Sequence, residues 1–375
     1  MYKYPIVDLH ATWLVLNPIQ GCPNRCKYCF LNGVQLTGVK PTELVTPTEA
    51  IGLLKNSALY DQQIPICIES QSDAFATPSN IQYVKELIRL MHQNQIMNTK
   101  IFITKCKIPI DFIEYLKKYK ELGHNFIFFL SYSGLENDIE IGVNKNNIKE
   151  NFIKLNENNF DIIHYWRPFI PQNSSREKIL EVVNFVKQYA KCSIAIGLKA
   201  QSTFIDKIDF WDEIKKYPEA IYAESIWTKE AYENIYGKNS ILENDYPIFQ
   251  TTSCAIAYVK KECDRNAFYS SEICKDFNKC PENQRKICEN YYSNECKKIS
   301  IDTITELLTK LGHDIVDVKI NIDYEKREIE ILGTELTMKE FTYLTQMTHF
   351  KIKAKKFKND YYWNTSVNDA KQLHI

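Results

Sequence analysis

With 375 residues, 44% of them apolar and 25% charged, the chain can bury a sizeable core and exceeds a usual single domain, so one large domain with one or two small ones is expected. Its 47 basic and 47 acidic residues cancel, which excludes a global field drawing it to nucleic acid or membrane and confines any such contact to a local patch. No run approaches the ~18 apolar residues of a membrane span, and Met1 to Pro5 leads into no apolar signal core, so the twelve cysteines read as metal ligands and thiols of a reducing, cytoplasmic compartment rather than as disulfides.

The apolar run Trp13–Leu16 predicts a first strand, stopped by Asn17-Pro18. The stretch from Gly21 to Phe30 follows, with Cys22, Cys26 and Cys29 at C-x3-C-x2-C spacing. Three thiolates from one tight loop can cap three irons of a cubane 4Fe–4S cluster and leave the fourth iron open. Zinc is the alternative, but it wants a fourth ligand, and no other Cys or His is close in sequence. Thr46-Pro47-Thr48-Glu49 is a capping box opening a helix. Pro65–Glu69 is a second strand, and Thr77-Pro78 starts a helix with Ile81, Val84, Ile88 and Met91 on one face. Lys100–Thr104 is a third strand, and Pro109–Leu122 a helix that Gly123 stops. Phe126–Ser131 reads as a strand buried on both faces. A helix near Asn146–Asn156, a strand Ile162–Trp166, a helix capped by Ser174/Ser175 and a strand Ser193–Leu198 complete six β/α units. Such alternation predicts a parallel sheet curled into a partial (β/α)6 barrel, with sites gathered at the carboxyl ends of its strands.

Polar residues recur at those ends. They include Ser70, Ser72 and Asp73 after strand two, Thr104-Lys105-Cys106 after strand three, Ser131 and Ser133 after strand four, and Arg167-Pro168 after strand five. Such types at strand ends could bind a polar ligand.

The cysteine motif, with Tyr28 before its third cysteine, resembles the radical S-adenosylmethionine superfamily. Ser72-Asp73, Thr104-Lys105, Ser131 and Arg167-Pro168 are similar to one branch of it, the spore photoproduct lyase and its relatives. The resemblance covers roughly residues 12–200 and implies the radical-SAM partial barrel. It also implies a 4Fe–4S cluster at Cys22, Cys26 and Cys29, S-adenosylmethionine as cofactor, and an external reductant such as flavodoxin or ferredoxin. It places Tyr28, Ser72, Lys105 and Ser131 beside the cofactor, with Asp73, Ser133 and Arg167 as further candidates. The implied chemistry is reductive cleavage of S-adenosylmethionine to a 5′-deoxyadenosyl radical, which abstracts a hydrogen atom. The branch also implies a hydrogen-donating cysteine where this chain has Ser70, which puts thymine-dimer repair in doubt. Cys106, at the end of strand three, is a thiol that could substitute, and a small buried thiol is an equally good reading of it.

Cys254, Cys263, Cys274, Cys280, Cys288 and Cys296 crowd a segment without histidine. All-thiolate sites hold iron–sulfur or zinc. A second 4Fe–4S cluster on Cys254, Cys274, Cys280 and Cys288 is expected, with zinc as the alternative. Beyond residue 300 come a helix near Ile304–Leu311, strands near Val318–Ile322 and Glu328–Ile331, and a helix Thr337–Met347. Lys351, Lys353, Lys355, Lys356 and Lys358 lie among Phe350, Phe357, Tyr361, Tyr362 and Trp363. This is either a single-strand nucleic-acid surface or a strand edge blunted with lysine.

The expected organisation is an α/β chain with a barrel over 1–225, an auxiliary metal segment over 226–300 and a small α+β domain over 301–375. The substrate reading is nucleic acid, from the branch resemblance and the tail, with a peptide as the alternative. A non-catalytic iron–sulfur or zinc interaction protein is the rival from another class. Intact polar residues at four strand ends argue against it.

Overall fold

A computed structural model of the protein describes residues 5–200, 205–223, 225–238, 240–242, 246–266, 274, 279–356 and 372–375. Its centre is an eight-stranded sheet whose spatial order is its chain order. The strands are β1 (Val7–Leu9), β2 (Leu14–Leu16), β3 (Ile66–Ile68), β4 (Lys100–Thr104), β5 (Phe126–Leu130), β6 (Asp161–Trp166), β7 (Cys192–Ala195) and β8 (Ile248–Phe249). Only β1 is antiparallel; every pair from β2 to β8 is parallel. The six expected strands are all present. The chain adds the edge hairpin β1 and a seventh parallel strand, β8, which is two residues long and too short for alternation to reveal.

The crossovers carry α1 (Pro47–Asn56), α2 (Pro78–Gln93), α3 (Ile110–Glu121), α4 (Lys145–Glu157), α5 (Arg176–Val186) and α6 (Lys229–Tyr236). The caps lie where the sequence puts them. Thr46 and Glu49 form a reciprocal box at α1, Ser175 caps α5, and Gly123 beyond α3 takes the left-handed φ of +90°.

Strand alternation separates two cores. Leu14, Leu16, Ile66, Ile68, Phe102 and Phe128 face the outer helices. Val15, Cys67, Ile101, Ile127, Phe129 and Ile163 face inward, where α7 (Thr252–Lys260) supplies Cys254, Ala255, Ile256 and Val259. The sheet curls enough that the turn between β1 and β2 reaches the start of α7, with Thr12 Oγ1 and Thr252 Oγ1 2.5 Å apart. The result is a partial barrel whose concave side α7 fills.

The region from 201 to 250 holds short 3₁₀ turns, α6 and a strand Ser225–Trp227 paired with Gln372–His374. After α8 (Glu282–Asn290) come α9 (Ile301–Lys310), β9 (Lys319–Asp323), β10 (Glu328–Leu336), α10 (Met338–Thr348) and β11 (Lys351–Lys356). β9, β10 and β11 form a separate sheet in that order. This C-terminal part shares a core with the barrel, since Tyr343 is buried in the outer cluster. Gln346 Nε2 donates to the carbonyls of His10 and Ala11 at 2.9 Å, and Lys339 pairs with Asp8 at 2.5 Å. No helix of the described residues is long and apolar enough to cross a membrane.

Candidate functional site

The cysteine loop leaves β2 and is held by three neighbours. Ile19–Gln20 pairs with Thr42–Glu43, and Arg25–Cys26 pairs antiparallel with Glu140–Ile141. Ser72 Oγ donates to the Gly21 carbonyl at 2.6 Å. Gly21 has a φ of +99°, and a Cβ there would sit 3.0 Å from Val39 Cγ2 and 3.2 Å from the Lys40 carbonyl, so the turn into the motif needs glycine. Within the loop Asn32 Nδ2 donates to the carbonyls of Cys26 and Lys27, at 3.0 and 3.1 Å.

Cys22, Cys26 and Cys29 all line one cavity of about 390 Å³ at the carboxyl ends of the parallel strands. Burial pushes the Cys22 and Cys29 thiols up to about 12, and the neighbouring motif thiols add to the rise in each. Burial also raises Cys26, with the Lys105 charge opposing. Thiols so placed lose their protons only to a strong cationic partner. Among the described residues, no three His, Cys, Asp or Glu side chains converge as ligands of one ion. A cubane makes no such demand, because each thiolate caps a different iron. Three thiols on one wall, open toward the cavity, fit that group. The same lining carries two buried polar atoms without a partner among the described residues, Gln71 Oε1 and Trp13 Nε1. Such atoms suit a polar ligand.

The strand-end residues divide by role. Tyr28, Ser72, Asp73, Lys105, Ser131 and Arg167 line the same cavity as the cysteines. Asp73 is buried and accepts from Thr104 Oγ1, the Lys105 amide and the Phe75 amide, each at 2.9 Å. It staples the ends of β3 and β4 together instead of standing open to an ammonium. Burial raises its carboxyl, and those hydrogen bonds oppose the rise. Lys105 Nζ lies 2.7 Å from Glu140 Oε1, 3.1 Å from the Ser131 carbonyl and 5.6 Å from the Tyr28 ring centre. Arg167 Nη1 donates to the Tyr165 hydroxyl at 2.8 Å.

Ser133 is not on the lining. Its hydroxyl is buried, accepts from the Leu135 amide at 3.1 Å and bonds Glu140. A direct contact with a ligand in the cavity does not fit that position, because the residue is buried off the lining. Cys106 is also off the lining, with its sulfur beside Asp73 and 3.9 Å from Asn24 Nδ2.

Two residues escaped the sequence reading. Lys199 lines the cavity just past β7, where the strand-end rule would have found it. Glu140 stands in a loop with no motif around it, and only the fold brings it to Lys105.

The described cysteines of the cysteine-rich segment lie in two places. Cys254 is buried in the inner core, and Cys280 packs against the same cluster. Cys288 on α8 instead bonds Cys263, which the sequence reading leaves spare, and accepts from Gln284 Nε2 at 3.4 Å. Cys263 as hydrogen-bond donor is the chief reason the Cys288 thiol falls to about 6. Cys274 is partly exposed. Three of the tail lysines have carboxylate partners. Lys353 and Lys351 lie 2.5 and 3.5 Å from Glu328, and Lys355 pairs with Glu335. Phe350 is fully buried. Phe357, Lys358, Tyr361, Tyr362 and Trp363 lie outside the described residues.

The chain matches no family model and no curated protein. Among solved structures it is similar to spore photoproduct lyase complexed with dinucleoside spore photoproduct, at 14% identity and TM-score 0.41, over 55% of this chain and 61% of that one. It is also similar to a radical SAM methyltransferase from Sphaerobacter thermophilus, at 13% identity and TM-score 0.38, over 56% and 65%. A third likeness is to Streptococcus suis SuiB, at 14% identity and TM-score 0.42, over 70% and 56%. The chain thus spans about three fifths of the length of the spore photoproduct lyase structure it matches.

Proposed function

We propose that the protein is a radical S-adenosylmethionine enzyme. The observation that carries the reading is three motif thiols on one wall of the cavity formed by the carboxyl ends of seven parallel strands. A 4Fe–4S cluster with S-adenosylmethionine would supply one-electron cleavage of the sulfonium and, through it, hydrogen-atom abstraction.

Cys22, Cys26 and Cys29 would hold the cluster. Lys105, anchored at the end of β4, presents a positive charge suited to the cofactor's carboxylate. Ser72 fixes the cysteine loop through Gly21, and Asp73 locks the strand ends that carry Ser72 and Lys105. Trp13, Ile103, Ile196 and Leu198 wall the cavity with apolar surface, which excludes water from a reactive centre.

For the substrate, the strand-end match to the spore photoproduct lyase branch supports a nucleic-acid component, and Arg167 and Lys199 on the lining suit a phosphate. The paired tail lysines lend that reading no support. An auxiliary iron–sulfur or zinc centre in the cysteine-rich segment and an external reductant belong to the same proposal.

The test replaces Cys22, Cys26 and Cys29 together by Ala. The variant should lose about four irons per chain and all 5′-deoxyadenosine release, and should keep any metal held by the cysteine-rich segment. Continued release of 5′-deoxyadenosine by the triple variant refutes the reading.

A further inference from the structure

One buried carboxylate joins three separate segments around the cavity. Glu140 lies on the loop after β5, and its backbone pairs with Cys26 across a two-residue antiparallel bridge. The next contact on that seam is the Lys27 amide, which donates to the Ile139 carbonyl at 3.0 Å. The Glu140 side chain is only 1% exposed. Its Oε1 accepts from Lys105 Nζ at 2.7 Å and from the Tyr28 hydroxyl, and the Ser133 hydroxyl bonds the same carboxylate. Burial alone would raise this carboxyl. The Lys105 charge and the three hydrogen bonds outweigh burial and hold it below the ordinary glutamate range.

Lys105 comes from the end of β4 and Tyr28 from the cysteine motif, so neither is fixed relative to the other by its own backbone. A lysine with four rotatable bonds would otherwise sample solvent. Here its ammonium is held over the Tyr28 ring, close enough to Cys26 and Cys29 to oppose the rise of both thiols.

We propose that Glu140 is a positioning residue of the cofactor site: through Lys105 and Tyr28 it places one cation and one aromatic ring against the cysteine motif. The role assigned to the cofactor rests on the radical S-adenosylmethionine reading; the placement of Lys105 does not. Glu140 does not line the cavity, so it acts through its partners and not by touching a ligand.

The experiment uses Glu140→Gln, which keeps shape and removes charge, in the full chain. The first readout is mass-spectrometric acetylation of Lys105 in metal-free protein. Labelling should accelerate several-fold in the variant, with Lys353 as an internal control that does not change. The second is equilibrium dialysis of S-adenosylmethionine on cluster-reconstituted protein. The dissociation constant should rise roughly tenfold, the usual size for a lost charged hydrogen bond. Adding Lys105→Met in that background should change it no further, since the two residues act as one unit. If Glu140→Gln does not fold, the double variant, a neutral replacement of the whole buried pair, carries the binding comparison against Lys105→Met alone. Equal affinity of those two supports the proposal.

Unchanged Lys105 labelling, or losses that simply add, would show that Glu140 only holds the fold together. If wild-type protein binds no S-adenosylmethionine, the functional reading fails, and the labelling arm still decides whether Glu140 places Lys105.

Discussion

Lys100 opens β4 with a fully buried side chain. Its ammonium donates to the Ile96 carbonyl at 2.8 Å and lies 2.7 Å from His124 Nδ1, which in turn contacts His92 through Nε2 at 3.0 Å. Desolvation lowers Lys100 from 10.5 to about 7, and burial followed by the Lys100 charge lowers His124 to about 4. Between pH 7 and 10 the unfolded chain still holds the lysine proton while the folded chain has released it. The unfolded state then binds more protons, so this group adds stability as pH rises. The unfolding free energy of wild type minus that of Lys100→Met should therefore climb with pH across that window, by up to ~1.4 kcal/mol per unit. Denaturant titrations at several pH values check it, and a flat difference would mean that Lys100 keeps its proton in the fold. No part of the candidate site is involved, so cofactor binding should not follow the same curve.

Edge strand β11 shows how one element reads differently alone and in its sheet. Alternating lysines from 351 to 355 predict one charged face, and the strand has it, with Ile352 buried between half-buried Lys351 and exposed Lys353. β10 runs parallel beside it and brings Glu328 and Glu335 to the lysine rows. Cross-strand opposite charges stabilise a pair and cancel its outward field. Lysines also blunt an exposed sheet edge against pairing with another chain. Lysines already neutralised release few counterions on meeting phosphate. Replacing Lys353 and Lys355 by Gln should thus leave the salt dependence of any single-strand binding within about half a unit of slope. Loss of about one unit or more, given ~0.7 per phosphate contact, would restore the strand as a nucleic-acid surface.

The whole molecule behaves as a barrel whose open edge is completed by the C-terminal part. β1 is an edge strand, and α10 lies against it through Lys339 to Asp8 and Gln346 to the chain just beyond. Tyr343 of α10 is fully buried in the same cluster as Leu14, Leu54 and Ile66, with Lys310 Nζ 2.7 Å from its hydroxyl. Truncating a large buried aromatic ring costs roughly 3–5 kcal/mol. Because the core is shared, Tyr343→Ala should lower the melting temperature reported by tryptophan fluorescence, whose buried reporters Trp13, Trp166, Trp211 and Trp227 all lie outside the C-terminal part. An unchanged tryptophan transition would show that residues 301–356 fold as an independent unit.

The cysteine spacing, six of the parallel strands, the helix caps and the strand-end polar residues were legible from the chain alone, because each depends on near neighbours. Period-two burial marks a strand, Thr-Pro-Thr-Glu marks a helix start, and three cysteines within eight residues share a loop in any fold. Short elements carried no such signal: β8 shows no alternation in two residues. Partner choice across the fold was equally illegible. That Glu140 meets Lys105 and Tyr28, that Asp73 accepts from the Thr104 hydroxyl and the Lys105 amide, and that Cys288 meets Cys263 all follow from the packing of distant segments. Those contacts join residues from 25 to 112 positions apart in sequence. A residue's type tells what it can bind. Only the packed sheet decided which residues have already spent that capacity on one another and which still face the cavity.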